Sequence, residues 1–173
     1  MKLAVAATLM ALSVGNAAAQ HQHGQHQTPY SGLQQRPVKA LSEQQIADLK
    51  AGRGMGLALA AELNGYPGPL HVIELADQLQ LDAEQRRRVQ QMFDSMKSEA
   101  MAVGERLIAE ETELDRAFAS QSISSARLNA LTARIAQTQG ELRAVHLKYH
   151  LTVAELLTTH QKHRYAQLRG YRQ

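Results

Sequence analysis

The sequence predicts an all-α chain built on one long antiparallel helical hairpin with short flanking helices. Three observations lead there. Aromatic residues make up 4% of 173 residues, with 11 Gly and 4 Pro, while Ala, Leu, Gln, Glu and Arg dominate. That composition suits helices and argues against a β-sandwich. Two long segments, about 83–119 and 125–156, carry apolar residues at helical spacing. Finally, one cap signature opens several of the expected helices.

The length fits one domain with a modest core. With no Cys in the chain, disulfides, thiolate zinc sites and thiol catalysis are excluded. A net charge of +3 carries no nucleic-acid signature.

Met1-Lys2, the apolar run Leu3 to Val14 and Ala17-Ala18-Ala19 have the layout of a secretory signal peptide cut after Ala19. The expected organisation is therefore a signal peptide over 1–19, a His/Gln-rich disordered leader over 20–40 and one helical domain over 41–173. The leader holds His21, His23 and His26, a polar tract that cannot build a core but offers imidazoles for weak copper or zinc capture.

Short helices are expected at about Glu43 to Lys50, Leu57 to Leu63 and Leu70 to Leu79. Glycines at 52, 54 and 56 separate the first two, and Asn64-Gly65-Tyr66-Pro67-Gly68-Pro69 is a dense turn signal. The first long helix, Ala83 to Ala119, has a stripe of Val89, Met92, Phe93, Met96, Ala100, Val103, Leu107, Leu114 and Phe118. Glu110, Glu111, Glu113 and Asp115 read as a solvated acidic run near the hairpin tip. Ser120 to Ser124 is a turn, with Ser124 placed to cap the second long helix, Ser125 to Leu156. Its seam is Leu128, Leu131, Ile135, Thr138, Leu142, Val145, Tyr149, Thr152 and Leu156. A last helix spans Thr159 to Leu168.

Helices this long reach roughly 50 Å at about 1.5 Å per residue. The short helices are expected to cover one end of the hairpin only, leaving the rest to a second copy or a client. Charge is also divided. Residues 82–118 hold six Lys/Arg and nine Asp/Glu, whereas residues 124–173 hold eight and two. The second arm is therefore basic.

The repeated cap is Leu41-Ser42-Glu43-Gln44-Gln45, Leu81-Asp82-Ala83-Glu84-Gln85 and Leu157-Thr158-Thr159-His160-Gln161. In a capping box the short side chain of Ser42, Asp82 or Thr158 accepts from the backbone three residues on. Gln45, Gln85 or Gln161 reaches back to the cap's own N–H. One such motif opening the hairpin and one opening the last helix resemble the periplasmic LTxxQ-motif family of Spy, CpxP and ZraP, related to the metal sensor CnrX. The resemblance covers about residues 70–170; Asp82 replaces the motif's Thr and keeps its capping role. It implies a thin, hairpin-based periplasmic homodimer, intertwined or cradle-shaped. It also implies binding of unfolded periplasmic proteins without ATP, damping of a membrane sensor kinase, or binding of zinc, copper, nickel or cobalt. The motif residues themselves are expected to be structural caps.

His146 and His150, four apart, share one helix face and could reach a single ion. The other reading makes them polar flank residues bonded to a carboxylate or carbonyl. Two His need further ligands, and His71, Glu74 and Met96 are the candidates. A His ahead of the first long helix and a His pair in the second resemble the CnrX arrangement, although Leu75 stands where a second His of that first group would be. His160 and His163 are expected to be exposed. No zinc-protease motif, nucleophile elbow or carboxylate pair suggests an enzyme.

Two functions follow. The first is an ATP-independent chaperone-like envelope-stress protein. Its client surface would be Arg86, Arg87, Arg88, Met92, Met96, Arg134 and Arg143, joining flexible apolar side chains to a charged edge, and it needs no cofactor. The alternative is a periplasmic heavy-metal-binding or metal-sensing protein using His71, Glu74, Met96, His146 and His150.

Overall fold

A computed structural model describes residues 28–171. The expected signal peptide and the His-rich stretch through Gln27 lie outside the described residues. Thr28 to Ser31 form a local turn, the Ser31 N–H bonding the Thr28 carbonyl. From Gly32 onward the chain is one unit, all-helical among the described residues. A 3-10 turn at Leu33–Gln35 precedes α1 (Glu43–Lys50), α2 (Leu59–Glu62), α3 (Pro69–Glu74), α4 (Ala83–Ala119), α5 (Ser125–Leu156) and α6 (Thr159–Leu168). The helices α4 and α5 pack along their length as the hairpin. No described helix is long and apolar enough to cross a membrane.

Capping boxes open α1, α4 and α6. The side chains of Ser42, Asp82 and Thr158 accept from the backbone of Gln45, Gln85 and Gln161, and each Gln answers the N–H of its cap residue. Two of the glutamines do more. Gln85 Nε2 donates to Gln161 Oε1 at 3.0 Å and Gln161 Nε2 donates to Gln85 Oε1 at 2.9 Å. Gln85 also reaches the Leu156 carbonyl at 3.3 Å and Gln161 the Leu79 carbonyl at 3.4 Å. The motifs opening α4 and α6 are thus one interlocked joint, which ties the start of the hairpin to its end.

Around that joint lies a first core of Val72, Ala76, Leu79, Leu81, Val89, Val153, Leu157 and Tyr165. A second core, further out, joins Val38, Leu41, Leu49, Ala100, Leu107, Ile135 and Leu142. Between the two, on α4 and α5, sit Met96, His146, Tyr149 and His150, all buried.

Several expectations need correction. The second core shows that the short elements cover more than one end. Val38, Leu41 and α1 lie on the outer part of the hairpin, where α1 meets α4 so closely that a Cβ on Gly104 would stand 2.6 Å from the Leu49 carbonyl oxygen. Helix α2 is shorter than expected because Gly56 takes a φ of 77° ahead of it and Gly65 a φ of 83° after it. Helix α3 ends at Glu74, not Leu79. A separate closing turn follows, with Gln80 at φ 53° and the Leu81 N–H returning to the Ala76 carbonyl. Glu111, expected to be solvated, is buried on α4 in line with Gly104 and Leu107, while Phe118 is 53% exposed and Ala117 takes the inward place. The drift of a 3.6-residue period against the partner helix accounts for that exchange at the tip.

Candidate metal centre

The polar layer between the two cores borders a cavity of about 130 Å³. It is lined by Gly54, Ala58, Gly68, Pro69, Leu70, His71, Met96, His146 and His150. Four elements bring the donors together. Helix α5 supplies both imidazoles one turn apart, α4 the Met96 thioether, and α3 His71, while the glycine-rich segment before α2 closes one side. Helices α2 and α3, joined through the turn at 64–68, both contact α5. A Cβ at Gly68 would lie 2.8 Å from Cε1 and 2.9 Å from Nε2 of His150. Only glycine leaves room for that ring edge.

The imidazoles differ in their bonding. His150 Nδ1 donates to the Tyr66 carbonyl at 2.7 Å, which leaves Nε2 as the ring's lone pair. His71 Nδ1 lies 3.0 Å from Glu74 Oε2. Since a carboxylate accepts, the Nδ1 of His71 is the donor in this bond. His146 is 2% exposed, and its Nε2 is buried without any hydrogen-bond partner. Burial, with His150 second, holds His146 below the usual imidazole value of 6.5, so at neutral pH the ring is uncharged and able to act as a ligand. An orphaned buried nitrogen is costly, by about 1–3 kcal/mol, unless something occupies the space in front of it.

Behind His150 is a buried carboxylate. Glu62 Oε1 accepts from the hydroxyls of Tyr165 and Tyr171, and Oε2 accepts from the Gly68 N–H at 3.1 Å. Oε2 stands 3.8 Å from His150 Nδ1, and Arg169 Nε is 3.6 Å from Oε1. Burial, followed by this hydrogen bond to Glu62, drives the Tyr165 hydroxyl far above its ordinary pKa, so it stays a donor. Glu62 therefore fastens the end of the chain to the back of the cavity. A neighbouring cavity of about 300 Å³ is lined by Glu62, His71, His150, Arg169 and Tyr171, with residues of the 54–59 segment.

Of the residues put forward from the sequence as ligands, His71, Met96, His146 and His150 line one cavity. Glu74 stands outside that lining and holds the far nitrogen of His71. Among the described residues, no three His, Asp or Glu side chains are grouped closely enough to hold one ion by themselves. The donors present nonetheless fit a metal: an unpartnered buried imidazole, a second imidazole with its tautomer fixed, a thioether and a cradle kept open by glycine. Sequence reasoning missed Glu62, the Tyr66 carbonyl and Gly68. Gly68, between two prolines, had a signal in the turn motif; Glu62 had none.

The residues put forward for a client surface are spread from the hairpin base to near its tip. Arg86 bonds the carbonyls of Leu81 and Ala76 and pairs with Asp77 at 2.8 Å, closing the turn after α3. Arg87 pairs with Glu84, Arg88 is exposed, and Met92 packs on the first core. Arg134 pairs with Glu113. Arg143 edges a separate groove of about 530 Å³ lined by Leu41, Leu49, Met55, Leu57, Leu107 and Leu142.

The fold and the cavity together define a helical-hairpin protein with a buried imidazole–thioether pocket. Residues 56–164, well over half of the chain, match the model of the heavy-metal resistance family, and the chain belongs to that family. This agrees with the LTxxQ resemblance and marks a protein related to metal resistance. No curated protein and no solved structure shows significant similarity to the chain.

Proposed function

We propose that this protein binds a heavy-metal ion in the cavity lined by His71, Met96, His146 and His150, and that it does so in the periplasm as a binding or sensing component of metal resistance rather than as an enzyme. The observation that carries the reading is His146, whose Nε2 is buried without a partner and which lines, one helical turn from a second imidazole, the same cavity as Met96. In this reading His146 and His150 hold the ion with Met96 as a third donor, His71 stands at the cavity wall, and Glu74 and the Tyr66 carbonyl orient the rings. A bound ion supplies positive charge between the two cores. Loading would stiffen the 54–71 segment against α5 and pass to a homodimer interface or a membrane signalling partner.

Equilibrium dialysis against zinc, copper, nickel and cobalt tests the reading. One ion per chain should be retained, and His146→Ala and His150→Ala should each abolish retention while keeping the helical signal. Retention unchanged in both variants would refute it. Export is checked separately, by fractionation of cells: signal outside the periplasm would contradict that part.

A second reading, a chaperone-like protein for unfolded clients, draws on the apolar groove edged by Arg143 and on exposed Met55, Leu59, Leu63 and Leu70. Metal-free protein should then suppress light scattering by an aggregating client near equimolar ratio. Leu57→Ser with Arg143→Ser should remove that effect. No suppression, with or without metal, would leave metal binding alone.

A further inference from the structure

The cavity's candidate donors are imidazoles and a thioether, those of His71, His146, His150 and Met96, and none is an anionic group. No carboxylate lines it. Glu62 faces the Nδ1 edge of His150 and has both oxygens engaged by Tyr165, Tyr171 and the Gly68 N–H. Glu74 is engaged with His71 Nδ1. A cation entering this space thus meets no formal negative charge among the lining residues.

Three physical arguments follow from that donor set. First, the cost of moving an ion from water into a buried site grows with the square of its charge. A divalent ion therefore loses about four times the solvation of a monovalent one of like size. Divalent sites usually offset this with carboxylates or thiolates, and this lining offers neither. Second, a thioether is a soft ligand that suits monovalent copper, whereas imidazole tolerates many metals. Met96, at 7% exposure, occupies a wall of the cavity, and its uncharged thioether favours the soft monovalent ion over the harder divalent ones. Third, structural zinc is almost always four-coordinate. Among the described residues no trio of His, Asp or Glu stands ready for one ion, while monovalent copper, a closed-shell ion, is satisfied by two or three donors. A His pair one turn apart with one thioether meets that demand.

We propose that the cavity selects monovalent copper over divalent zinc, nickel and cobalt, with Met96 as the residue that sets the selectivity. The proposal rests on the metal-binding reading above and narrows it to one ion and one oxidation state. Copper here is cargo; no redox step by the protein is involved. His146 and His150 supply the nitrogen donors, Met96 the sulfur donor, and Gly68 keeps the Nε2 edge of His150 open.

The test uses the full chain with His21, His23 and His26 replaced by Ala, so that metal on those imidazoles is not counted. Monovalent copper, kept reduced without oxygen, is titrated against bicinchoninate; zinc, nickel and cobalt are titrated against a chelating dye. Copper should bind one per chain and roughly a hundredfold more tightly than zinc. X-ray absorption of the copper form should show one sulfur neighbour. Met96→Leu conserves volume and should keep the fold. It should remove the sulfur signal and weaken copper on the order of tenfold or more, with zinc binding unchanged. Zinc binding as tight as copper, or Met96→Leu altering neither the absorption spectrum nor the copper affinity, overturns the selectivity while leaving metal binding intact. No binding of any of the four metals overturns the metal-binding reading and this proposal together.

Discussion

The inner end of the hairpin and its outer half are held together by different means. At the inner end, α3, α4, α5 and α6 meet in one core, the amides of Gln85 and Gln161 bond each other, and buried Glu62 ties Tyr165 and Tyr171 to the turn at Gly68. The outer half has a core of its own, with α1 laid across α4 at Gly104, but in place of a buried polar network it carries exposed ion pairs. Arg127 and Arg134 share Glu113, Arg106 meets Glu141, and Lys39 meets Asp115 at 3.3 Å. Exposed pairs of this kind contribute about 0–1 kcal/mol each, whereas a filled core and satisfied buried polar groups contribute several. The inner end should therefore be the rigid part, and the cavity sits at its border.

The largest difference should come from the aromatic residues. Tyr165→Ala removes a side chain at 2% exposure together with its bond to Glu62; it should cost about 3–5 kcal/mol in urea unfolding. Phe118→Ala at the tip should cost less than about 1 kcal/mol. Equal losses would erase the distinction between the two ends.

Next come the motif glutamines. Gln161→Ala loses a cap and leaves the Gln85 amide without its partner in a partly buried joint, an expected loss of about 2–3 kcal/mol. Gln45→Ala, in the exposed capping box of α1, should cost roughly 0.5 kcal/mol. A comparison of the two by thermal unfolding measures what interlocking adds to an ordinary cap.

Two mid-helix glycines sharpen the picture within the outer half. Gly104→Ala forces a Cβ against the Leu49 carbonyl and should destabilise by about 1–3 kcal/mol, freeing α1. Gly140→Ala on the other arm meets nothing within 4 Å and should stabilise by roughly 0.5–1 kcal/mol. Hydrogen exchange of α1 amides distinguishes them: faster in the first variant, unchanged or slower in the second.

The smallest effect is electrostatic. Burial, with Glu110 beside it, raises the Glu111 carboxyl above its ordinary 4.5. Between 4.5 and that raised value the folded chain keeps a proton that the unfolded chain has lost. Stability therefore falls as pH rises through this window, and the deficit persists at neutral pH. Glu111→Gln should stabilise the protein at pH 7 and make no difference below about pH 4.5. A gain that persists in acid would point to packing instead.

Much of the fold was legible along the chain. The bounds of α1, α4, α5 and α6 follow from local signals: a polar cap, an apolar stripe of helical period and a glycine or turn at the end. Helices α2 and α3 were less so, because glycines at positive φ and the left-handed Gln80 break a pattern that otherwise continues. Glu111 and Phe118 were misjudged for a related reason. Periodicity names a face, but the partner helix decides where that face stops being covered. In the candidate site, His146 and His150 were readable from their spacing alone. Glu62 was not, since an acidic residue in a short helix has no sequence mark of being buried by two tyrosines more than a hundred residues away.

By itself, then, the sequence determined what depends on near neighbours: an all-helical chain, a hairpin of two long arms, capping boxes at Ser42, Asp82 and Thr158, and a His pair on one helix face. These follow from backbone bonding and side-chain period within a few residues. Only the tertiary structure decided that Gln85 and Gln161 bond each other and that α1 crosses α4 at Gly104. It also decided that Met96, His71 and the His pair border one cavity with Gly68 at its wall. Those outcomes depend on how close two distant backbones can come, which is set by packing across the molecule.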